Sequence, residues 1–571
     1  MATPASQQDE AADAAPGAGE RGGSRWNAMT ARVTLRRHWL FALLFTLGVL
    51  LRVMAQVAYW PAILYYDSAG YLGGYRLSLA EPDPLGYPLT AHLLLDAFHD
   101  LAALSVVNHL LGLAIAGVIY AVLLRRGVKP WIAALATVPV LLDGLQLLIE
   151  QMVMSEPMFQ FFVVLGIALL LWRPRPTPVL AAGAGATFAG AALTRYVGLW
   201  LVLAGLLYCA LAARGRVLRL VTTVAVLAGF VLPMIGYAAY NDAVNGSFAL
   251  PSGKVSTALY ARVAASVTCA RLSLPSYERP LCPPPGVVQT KAGSLIQGFA
   301  QGKTSPIVTY RPPAGETLHQ VLNDFIKRAV SQQPLPVARA VAGSFARPFL
   351  TWTRDHKPGE LPVARWQFQT VFPLYFSHAS LALFHQYEGH RPVINRPLAR
   401  MLRGYQLYLG YTPGLVLLAC VILALVAALG VGRARHSGQR LACLLWLGTG
   451  LGLLLAAALY QFSWRYQLPA LVTIPPAAAL ALSALTSPKT AREPSAAHEP
   501  GGLDDPESAA PDDRAASHDR ALVAPVDGMA HPSEPAEPGP AQYHMPSGNP
   551  AGQGGQPAVP DLAPGGSSPP P

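Results

Sequence analysis

Apolar residues are concentrated in ten segments, most of them close to the roughly 20 residues that cross the hydrocarbon core of a bilayer. The segments lie at residues 39–58, 103–124, 130–149, 157–172, 178–194, 196–213, 217–239, 412–431, 441–460 and 466–486. Inside lipid every backbone polar group must be paired within the protein, which favours helices. The pattern therefore predicts an all-α polytopic membrane protein of about ten transmembrane helices.

The polar regions divide the chain further. Residues 1–38 and 487–571 are rich in Ala, Pro, Gly and Ser without an apolar period, which predicts disordered ends. Residues 241–411 combine short amphipathic stretches with Pro-rich turns, and they predict a mixed, mostly helical loop domain. The predicted organisation is, in chain order, 1–38, a membrane module at 39–240 with its first loop at 59–102, the loop domain at 241–411, a membrane module at 412–486, and the tail at 487–571.

Charge predicts the orientation of these segments. With the N-terminus in the cytoplasm, four inner loops (LRRGVKP, WRPRPTP, ARGRVLR and GRARHSGQR) hold eleven basic residues and no acidic one. This is the positive-inside pattern of membrane proteins. It places the first loop and the loop domain outside the cytoplasm and both termini inside it.

Overall composition agrees with a membrane protein, since 52% of the 571 residues are hydrophobic and 13% are charged. The net charge of +11 divides into −8 for residues 487–571 and +19 for the rest. Because topology accounts for the basic loops, the charge does not indicate a nucleic-acid partner. Cys269 and Cys282 flank a loop-like stretch in the longest polar region, and their spacing suits a disulfide if that region is extracytoplasmic.

Asp67 is the first candidate for chemistry, because it follows the first span closely and lies near the membrane surface. A carboxylate there could act as a general base toward an acceptor hydroxyl. The alternative interpretation is a solvated loop aspartate, which is common. Tyr71 lies four residues on, so a helix would place it on the same face, within reach of Asp67 or of a stacked sugar.

Further charged residues lie at the same predicted face. Glu156 begins a span, where the helix dipole favours an acid or where it could anchor the first loop. Arg195 and Arg465 lie at outer turns, against the topological rule, and a planar guanidinium suits a phosphate. Snorkelling, or pairing with Glu156, is the alternative for both. Arg52, in the outer half of the first span, is a further supporting candidate.

Signatures of other classes are missing from the sequence. No Walker loop, GxSxG elbow or HExxH spacing is present, and Asp67 and Glu156 do not form a metal motif. We therefore expect no cofactor and no metal ligands among these residues, and the need for a divalent metal stays open.

The order of four short motifs resembles the C-type glycosyltransferase superfamily, especially its lipid-carrier-dependent branch of protein O-mannosyltransferases and aminoarabinose transferases. An acidic motif with a tyrosine (Asp67 to Tyr71) follows the first span, and an aromatic-Pro-Leu motif starts at Tyr87. A Ser-Glu-Pro motif that contains Glu156 then starts a span. Thr-Arg and Arg-Tyr pairs stand at outer turns, the latter being Arg465 and Tyr466.

The resemblance implies a glycosyltransferase whose donor is a polyprenyl-phosphate sugar. It implies that Asp67 is the base, that Arg195 and Arg465 hold the donor phosphate, and that Tyr71, Glu156, Tyr466 and Arg52 support the site. The chain departs from many relatives, which have Asp-Glu where it has Asp67-Ser68 and a double proline where it has Tyr87-Pro88. The sugar and the acceptor therefore stay open.

Two other classes fit the sequence. A transporter or flippase of a lipid-linked or polar substrate would also place charges in the membrane, although no inverted repeat is apparent. A non-enzymatic assembly protein is the third possibility. The expected partners are a polyprenyl-phosphate sugar, membrane lipid and an extracytoplasmic acceptor that is a protein, a lipid or a cell-wall glycan. An excess of Arg over Lys suggests a bacterial plasma membrane.

Overall fold

The computed structural model describes residues 19–73, 84–250, 253–283, 307, 310–350, 363–375, 377–460 and 462–486. Its contacts divide the chain into the units Met1–Ala491 and Arg492–Pro571. All described residues lie in the first unit, so the tail predicted to be disordered at 487–571 lies outside them, as do residues 1–18.

Helices dominate the described residues. The first half contains α1 (Gly19–Ala58), α2 (Tyr66–Leu72), α3 (Gly86–Phe98), α4 (Ala102–Arg125), α5 (Pro130–Ala136), α6 (Val138–Leu142), α7 (Gly144–Gln151), α8 (Glu156–Leu171), α9 (Pro178–Thr194), α10 (Leu201–Ala212) and α11 (Arg216–Asn245). The second half contains α12 (Gly253–Ser266), α13 (Leu318–Gln332), α14 (Pro334–Leu350), α15 (Ser377–Glu388), α16 (Arg396–Tyr408), α17 (Gly414–Ala428), α18 (Arg440–Tyr460) and α19 (Leu468–Thr486).

Short elements connect these helices. Two strands, β1 (Tyr59–Trp60) and β2 (Val393–Ile394), pair antiparallel, with Tyr59 opposite Ile394. Turns of 3₁₀ helix lie at Tyr196–Trp200, Cys269–Arg271, Arg279–Leu281, Val363–Trp366, Gly432–His436 and Trp464–Gln467.

The membrane class predicted from the sequence is confirmed. Within the described part of the chain, five helical stretches are long and apolar enough to cross a bilayer: Arg36–Ala58, Ala102–Arg125, Arg216–Val244, Arg440–Tyr460 and Trp464–Thr486. Four shorter apolar helices coincide with other predicted spans: Glu156–Leu171, Pro178–Thr194, Tyr196–Ala212 and Gly414–Ala428. At the N-terminal end, α1 begins at Gly19, so it includes residues that the sequence pattern assigned to a disordered end.

The segment 130–149 differs from its prediction as one span, because it forms three short helices. Pro139, in the first turn of α6, has no backbone N–H to continue a helix from α5. Asp143 then ends α6 and caps α7, where its carboxylate accepts a hydrogen bond of 2.9 Å from the backbone N–H of Leu145. Hydropathy detects the apolar run but not these two breaks.

Helices α9 and α11 pack closely through small residues. A side-chain carbon added at Gly185 would collide with the backbone oxygen of Val226, and one added at Gly229 would collide with that of Ala182. Membrane helices use such residues to bring their backbones together, since water does not drive their association. These contacts fix the position of α9, whose end leads into Arg195.

The region predicted as a loop domain is mostly helical where it is described. Its core joins α12 to α13 and includes Tyr260, Val321 and Phe325, all buried. Cys269 and Cys282 form a disulfide at the edge of this core, with their Cα atoms 6.0 Å apart.

Candidate functional site

The candidate site is assembled from the ends of four helical elements. Asp67 is in the first turn of α2 and Glu156 in the first turn of α8. Arg195 directly follows α9, and Arg465 is in the 3₁₀ turn Trp464–Gln467 that precedes α19. The structure brings these four residues together although up to 398 positions separate them in the sequence.

Backbone pairing positions the segment that carries Asp67. The N–H of Ile63 donates to the oxygen of Gln151 at 3.0 Å, and the N–H of Val153 donates to the oxygen of Ile63 at 3.0 Å. The buried Ser68 hydroxyl adds a 2.8 Å bond to the oxygen of Val153. These bonds tie the start of α2 to the residues just before α8, so Asp67 lies beside the end of the bundle that carries Glu156.

Glu156 and Arg195 form the inner part of the site. Arg195 Nη1 lies 2.8 Å from Glu156 Oε1 and donates a 3.0 Å hydrogen bond to the hydroxyl of Ser155. The same hydroxyl lies 3.1 Å from that of Tyr71, whose ring packs edge-on against Tyr87 with centroids 4.9 Å apart. The Ser-Glu-Pro and Asp-to-Tyr motifs are therefore joined through side chains.

Arg465 links the inner part of the site to Asp67. Its guanidinium forms an ion pair with the Asp67 carboxylate and lies 3.5 Å from Glu156. The Arg465 side chain is 10% exposed and that of Asp67 is 32% exposed, so Asp67 is the more accessible partner. Aromatic rings surround the guanidinium carbon, with centroids at 5.1 Å for Tyr466, 5.7 Å for Tyr65 and 5.9 Å for Trp366.

The electrostatics of the site follow from these pairs. Burial lowers the pKa of Arg195 and is the largest single influence on it, but Glu156, Tyr71 and Tyr466 together outweigh it, so the pKa is raised and the side chain keeps its charge. Burial raises the pKa of the Tyr65 hydroxyl, which opposes its ionisation, although Arg465 and Arg365 act in the opposite direction. The site thus presents guanidinium donors, an accessible carboxylate and the neutral phenol of Tyr65.

This arrangement offers acid–base chemistry beside a place for an anion. A carboxylate that is partly exposed can accept a proton, and guanidinium groups can stabilise charge on a leaving phosphate. Among the residues that the structure describes, no group of three His, Cys, Asp or Glu is placed to hold a metal ion.

Arg52 does not join this cluster. Its Nε lies 2.8 Å from Glu150 Oε2, and its other nitrogens donate to the backbone oxygens of Gly48, Val140 and Leu141. His109 Nδ1 also lies 3.0 Å from Glu150. Arg52 was expected to support the site because it is a charge in the outer half of a span. Instead it forms its ion pair with Glu150 inside the bundle.

Four residues near the site were not among the sequence candidates: Ser155 as a contact of Arg195, and Tyr65, Arg365 and Trp366. Arg365 Nη1 lies 3.3 Å from the Tyr65 hydroxyl, and its guanidinium carbon lies 5.1 Å from the centroid of Tyr66. Arg365 and Trp366 come from the 3₁₀ turn Val363–Trp366 of the loop domain, which lies outside its amphipathic helices. The available signal was the density of aromatic residues in RWQFQTVFPLYF and in YWPAILYYD.

The comparisons with known proteins cover part of the chain. Residues 35–244 match the family described as dolichyl-phosphate-mannose-protein mannosyltransferase. The matched range includes Asp67, Tyr71, Glu156 and Arg195 and ends before Arg465. No curated protein sequence matches the chain.

A solved structure with similarity is the archaeal oligosaccharyltransferase AglB from Archaeoglobus fulgidus, in complex with an inhibitory peptide and a dolichol-phosphate. The identity is 13% and the TM-score 0.37; the alignment covers 79% of this chain and 50% of that one. The chain therefore spans about half the length of that protein. Over residues 35–244 the chain matches the dolichyl-phosphate-mannose-protein mannosyltransferase family, which confirms the predicted resemblance to the lipid-carrier-dependent C-type glycosyltransferases.

Proposed function

We propose that the chain is a membrane glycosyltransferase that moves a sugar from a polyprenyl-phosphate donor to an acceptor hydroxyl. The observation that carries this proposal is the convergence of Asp67, Arg195 and Arg465 on one site, with Glu156 between the two arginines. A base and two phosphate ligands at one place are what such a transfer requires. The match of residues 35–244 to a mannosyltransferase family supports the same activity.

A groove between helices supports a lipid-linked donor. It has a volume of about 410 Å³ between the Tyr196–Ala212 helical segment and α18, and leucines dominate its lining. Trp200 lines it five residues after Arg195, and Leu459 lines it six residues before Arg465. A polyprenyl tail in this groove would lie in an apolar surrounding, with its phosphate directed toward the two arginines.

The transfer breaks one bond at the anomeric carbon of the sugar and forms another. The bond between the anomeric carbon and the phosphate oxygen breaks, and its electron pair leaves with the polyprenyl phosphate, where guanidinium groups stabilise the charge. The acceptor oxygen forms the new bond to the anomeric carbon from the opposite side, which inverts the configuration. Asp67 takes the proton of the acceptor hydroxyl and later releases it to water.

The ion pair between Asp67 and Arg465 has a role in the order of these reaction steps. While the two groups are paired, the Asp67 carboxylate is occupied by the Arg465 guanidinium. A donor phosphate that binds Arg465 competes with the carboxylate for the guanidinium. Binding of the donor thus releases Asp67 for the acceptor hydroxyl, so the base becomes available only when the donor is in place.

The charge pattern of the loops supports an extracytoplasmic site, and the excess of Arg over Lys supports a bacterial host. The site lies at the extracytoplasmic face of a bacterial plasma membrane, and both termini lie in the cytoplasm. Because the matching family acts on proteins, a protein is the first acceptor to test, and mannose is the first sugar.

The test is a transfer assay on the purified full-length chain. Polyprenyl-phosphate mannose and other polyprenyl-phosphate sugars are supplied with protein, lipid and glycan acceptors, and release of polyprenyl phosphate is measured. We expect acceptor-dependent release with one donor. Asp67→Asn should lower the rate at least 1,000-fold, because an amide cannot take the proton.

Asp324→Asn is the control for this assay. Asp324 is a partly exposed carboxylate of the loop domain, and among the described residues it forms an ion pair with Lys327 alone, so its removal should leave the rate unchanged. Full activity of Asp67→Asn at normal membrane insertion would remove Asp67 as the base. No turnover of any donor by the unaltered chain would contradict the proposed function as a whole.

A further inference from the structure

The charges of the site nearly cancel, and this bears on how it could bind a phosphate. Arg195 and Arg465 supply two positive charges, and Asp67 and Glu156 supply two negative ones. The phosphodiester of a polyprenyl-phosphate sugar carries one negative charge, and the polyprenyl monophosphate that leaves carries about −1.5 to −2 at neutral pH. A neutral cluster gives either of them little net attraction. If the donor is a polyprenyl-phosphate sugar, as proposed above, the site needs another cation.

Arg365 is the cation next to this cluster. Its guanidinium carbon lies 5.9 Å from the ring centroid of Tyr65, and that of Arg465 lies 5.7 Å from the same centroid. The two guanidinium carbons are thus separated by no more than the sum of these distances. Among the described residues, no carboxylate forms an ion pair with Arg365.

The surroundings of Arg365 hold it in place without neutralising it. One nitrogen lies 3.3 Å from the Tyr65 hydroxyl, and the group lies over the ring of Tyr66, which is 48% exposed. Its neighbour Trp366 is buried against Arg465, and the Tyr375 hydroxyl donates a 3.0 Å bond to the backbone oxygen of Arg365. A guanidinium has five N–H donors, so most of them stay available to a ligand.

We infer that Arg365 is a third cationic ligand of the donor phosphate, supplied by the loop domain, and that the phosphate binds between Arg365 and Arg465 over Tyr65. This inference rests on the proposed function and deepens it. With Arg365 the site has a net charge of +1, which attracts a phosphate group. It also makes donor binding depend on the loop domain, because Arg195 and Arg465 belong to the membrane helices and Arg365 does not.

The inference is tested by binding, without any transfer. A polyprenyl monophosphate and the polyprenol of the same length are titrated against the purified full-length chain in detergent. Arg365→Gln should weaken binding of the monophosphate at least tenfold and leave binding of the polyprenol unchanged. Arg365→Lys keeps the charge but loses the planar fork. It should bind the monophosphate more weakly than the unaltered chain and more tightly than Arg365→Gln.

Two controls separate phosphate binding from other roles. Arg400→Gln removes an exposed arginine of α16 in the same loop domain, and it should not change binding. Tyr65→Phe removes the hydroxyl that contacts Arg365. If Arg365 acts only by positioning Tyr65, this variant would weaken binding as much as Arg365→Gln; a direct ligand predicts a smaller effect.

Other outcomes distinguish this inference from the proposed function. Unchanged monophosphate binding by Arg365→Gln would overturn the inference, even if transfer is observed. Weakened binding in that variant, in a chain that transfers no sugar, would support Arg365 while the proposed function fails. Inorganic phosphate at a concentration equal to that of the lipid should not compete; competition would overturn the assignment of a lipid-linked phosphate.

Discussion

At the residue scale, the contacts of Arg195 depend on the geometry of its guanidinium. One nitrogen lies close to both Glu156 and Ser155, while the guanidinium carbon lies 5.8 Å from the ring centroid of Tyr466. A lysine ammonium carries the same charge but lacks the planar fork that binds two oxygens side by side. The charge of Arg195 and its shape can therefore be tested separately.

We expect Arg195→Lys to raise the KM for the donor about tenfold, which corresponds to about 1.4 kcal/mol, and Arg195→Gln to raise it further. Steady-state kinetics with a polyprenyl-phosphate sugar measure both effects. Arg214→Lys, at an exposed position between α10 and α11, is the matched control and should behave as the unaltered chain. An unchanged KM in both Arg195 variants would exclude this residue as a phosphate ligand.

Some residues of the site could be predicted from the sequence alone, and others could not. Asp67 and Glu156 could be predicted because they lie where a span ends or begins, and Arg195 and Arg465 because they lie at outer turns against the positive-inside pattern. Arg365 could not, because an arginine in a polar loop domain is ordinary. Arg52 was a candidate as a charge in the outer half of a span, yet it forms its ion pair with Glu150. Hydropathy cannot distinguish a charge that is paired inside the bundle from one that faces a ligand.

At the scale of helices, the close approach of α9 and α11 supports the site indirectly. Gly185 and Gly229 let the two backbones meet, and α9 ends immediately before Arg195. The apolar segments predicted both helices, since periodicity and length suffice for this. The contact between them could not be predicted from the sequence. Glycines at a helix crossing look like any other glycines in an Ala-rich and Gly-rich chain, so the structure is required to identify them.

We expect Gly229→Val to destabilise the protein by about 1–3 kcal/mol or more, because the added carbons collide with the backbone of Ala182. Thermal unfolding in detergent should show a lower Tm. Gly236→Val on the same helix α11 is the matched control, since a side-chain carbon added there meets nothing within 4 Å. Equal Tm values for the two variants would mean that the helices do not cross as described.

At the scale of the whole molecule, the loop domain and the membrane helices contribute to one site. Strand β2 of the loop domain pairs with β1, which follows α1 directly, and α2 with Asp67 comes soon after. The loop domain also supplies Trp366 and Arg365 to the surroundings of Asp67 and Arg465. Sequence reasoning could place the domain between two membrane modules, but it could not show this convergence, which depends on contacts between distant segments.

The disulfide connects the structure of the loop domain to the orientation of the chain. The Cα atoms of Cys269 and Cys282 are 6.0 Å apart, a separation that suits a disulfide, and such bonds persist in oxidising surroundings. If the positive-inside assignment is correct, the domain faces such surroundings. Non-reduced peptide mapping of protein from native membranes should find the two cysteines linked.

Replacing both cysteines with serine should remove about 3 kcal/mol of stability from the loop domain, given the short loop that the bond closes. Proteolysis of the domain in intact membranes should then be faster, while Cys420→Ser, at a half-buried position in α17, should leave it unchanged. Two free thiols in native membranes would contradict the bond and would place the domain on the reducing side. The site would then face the cytoplasm, and the donor would have to be presented from that side of the membrane.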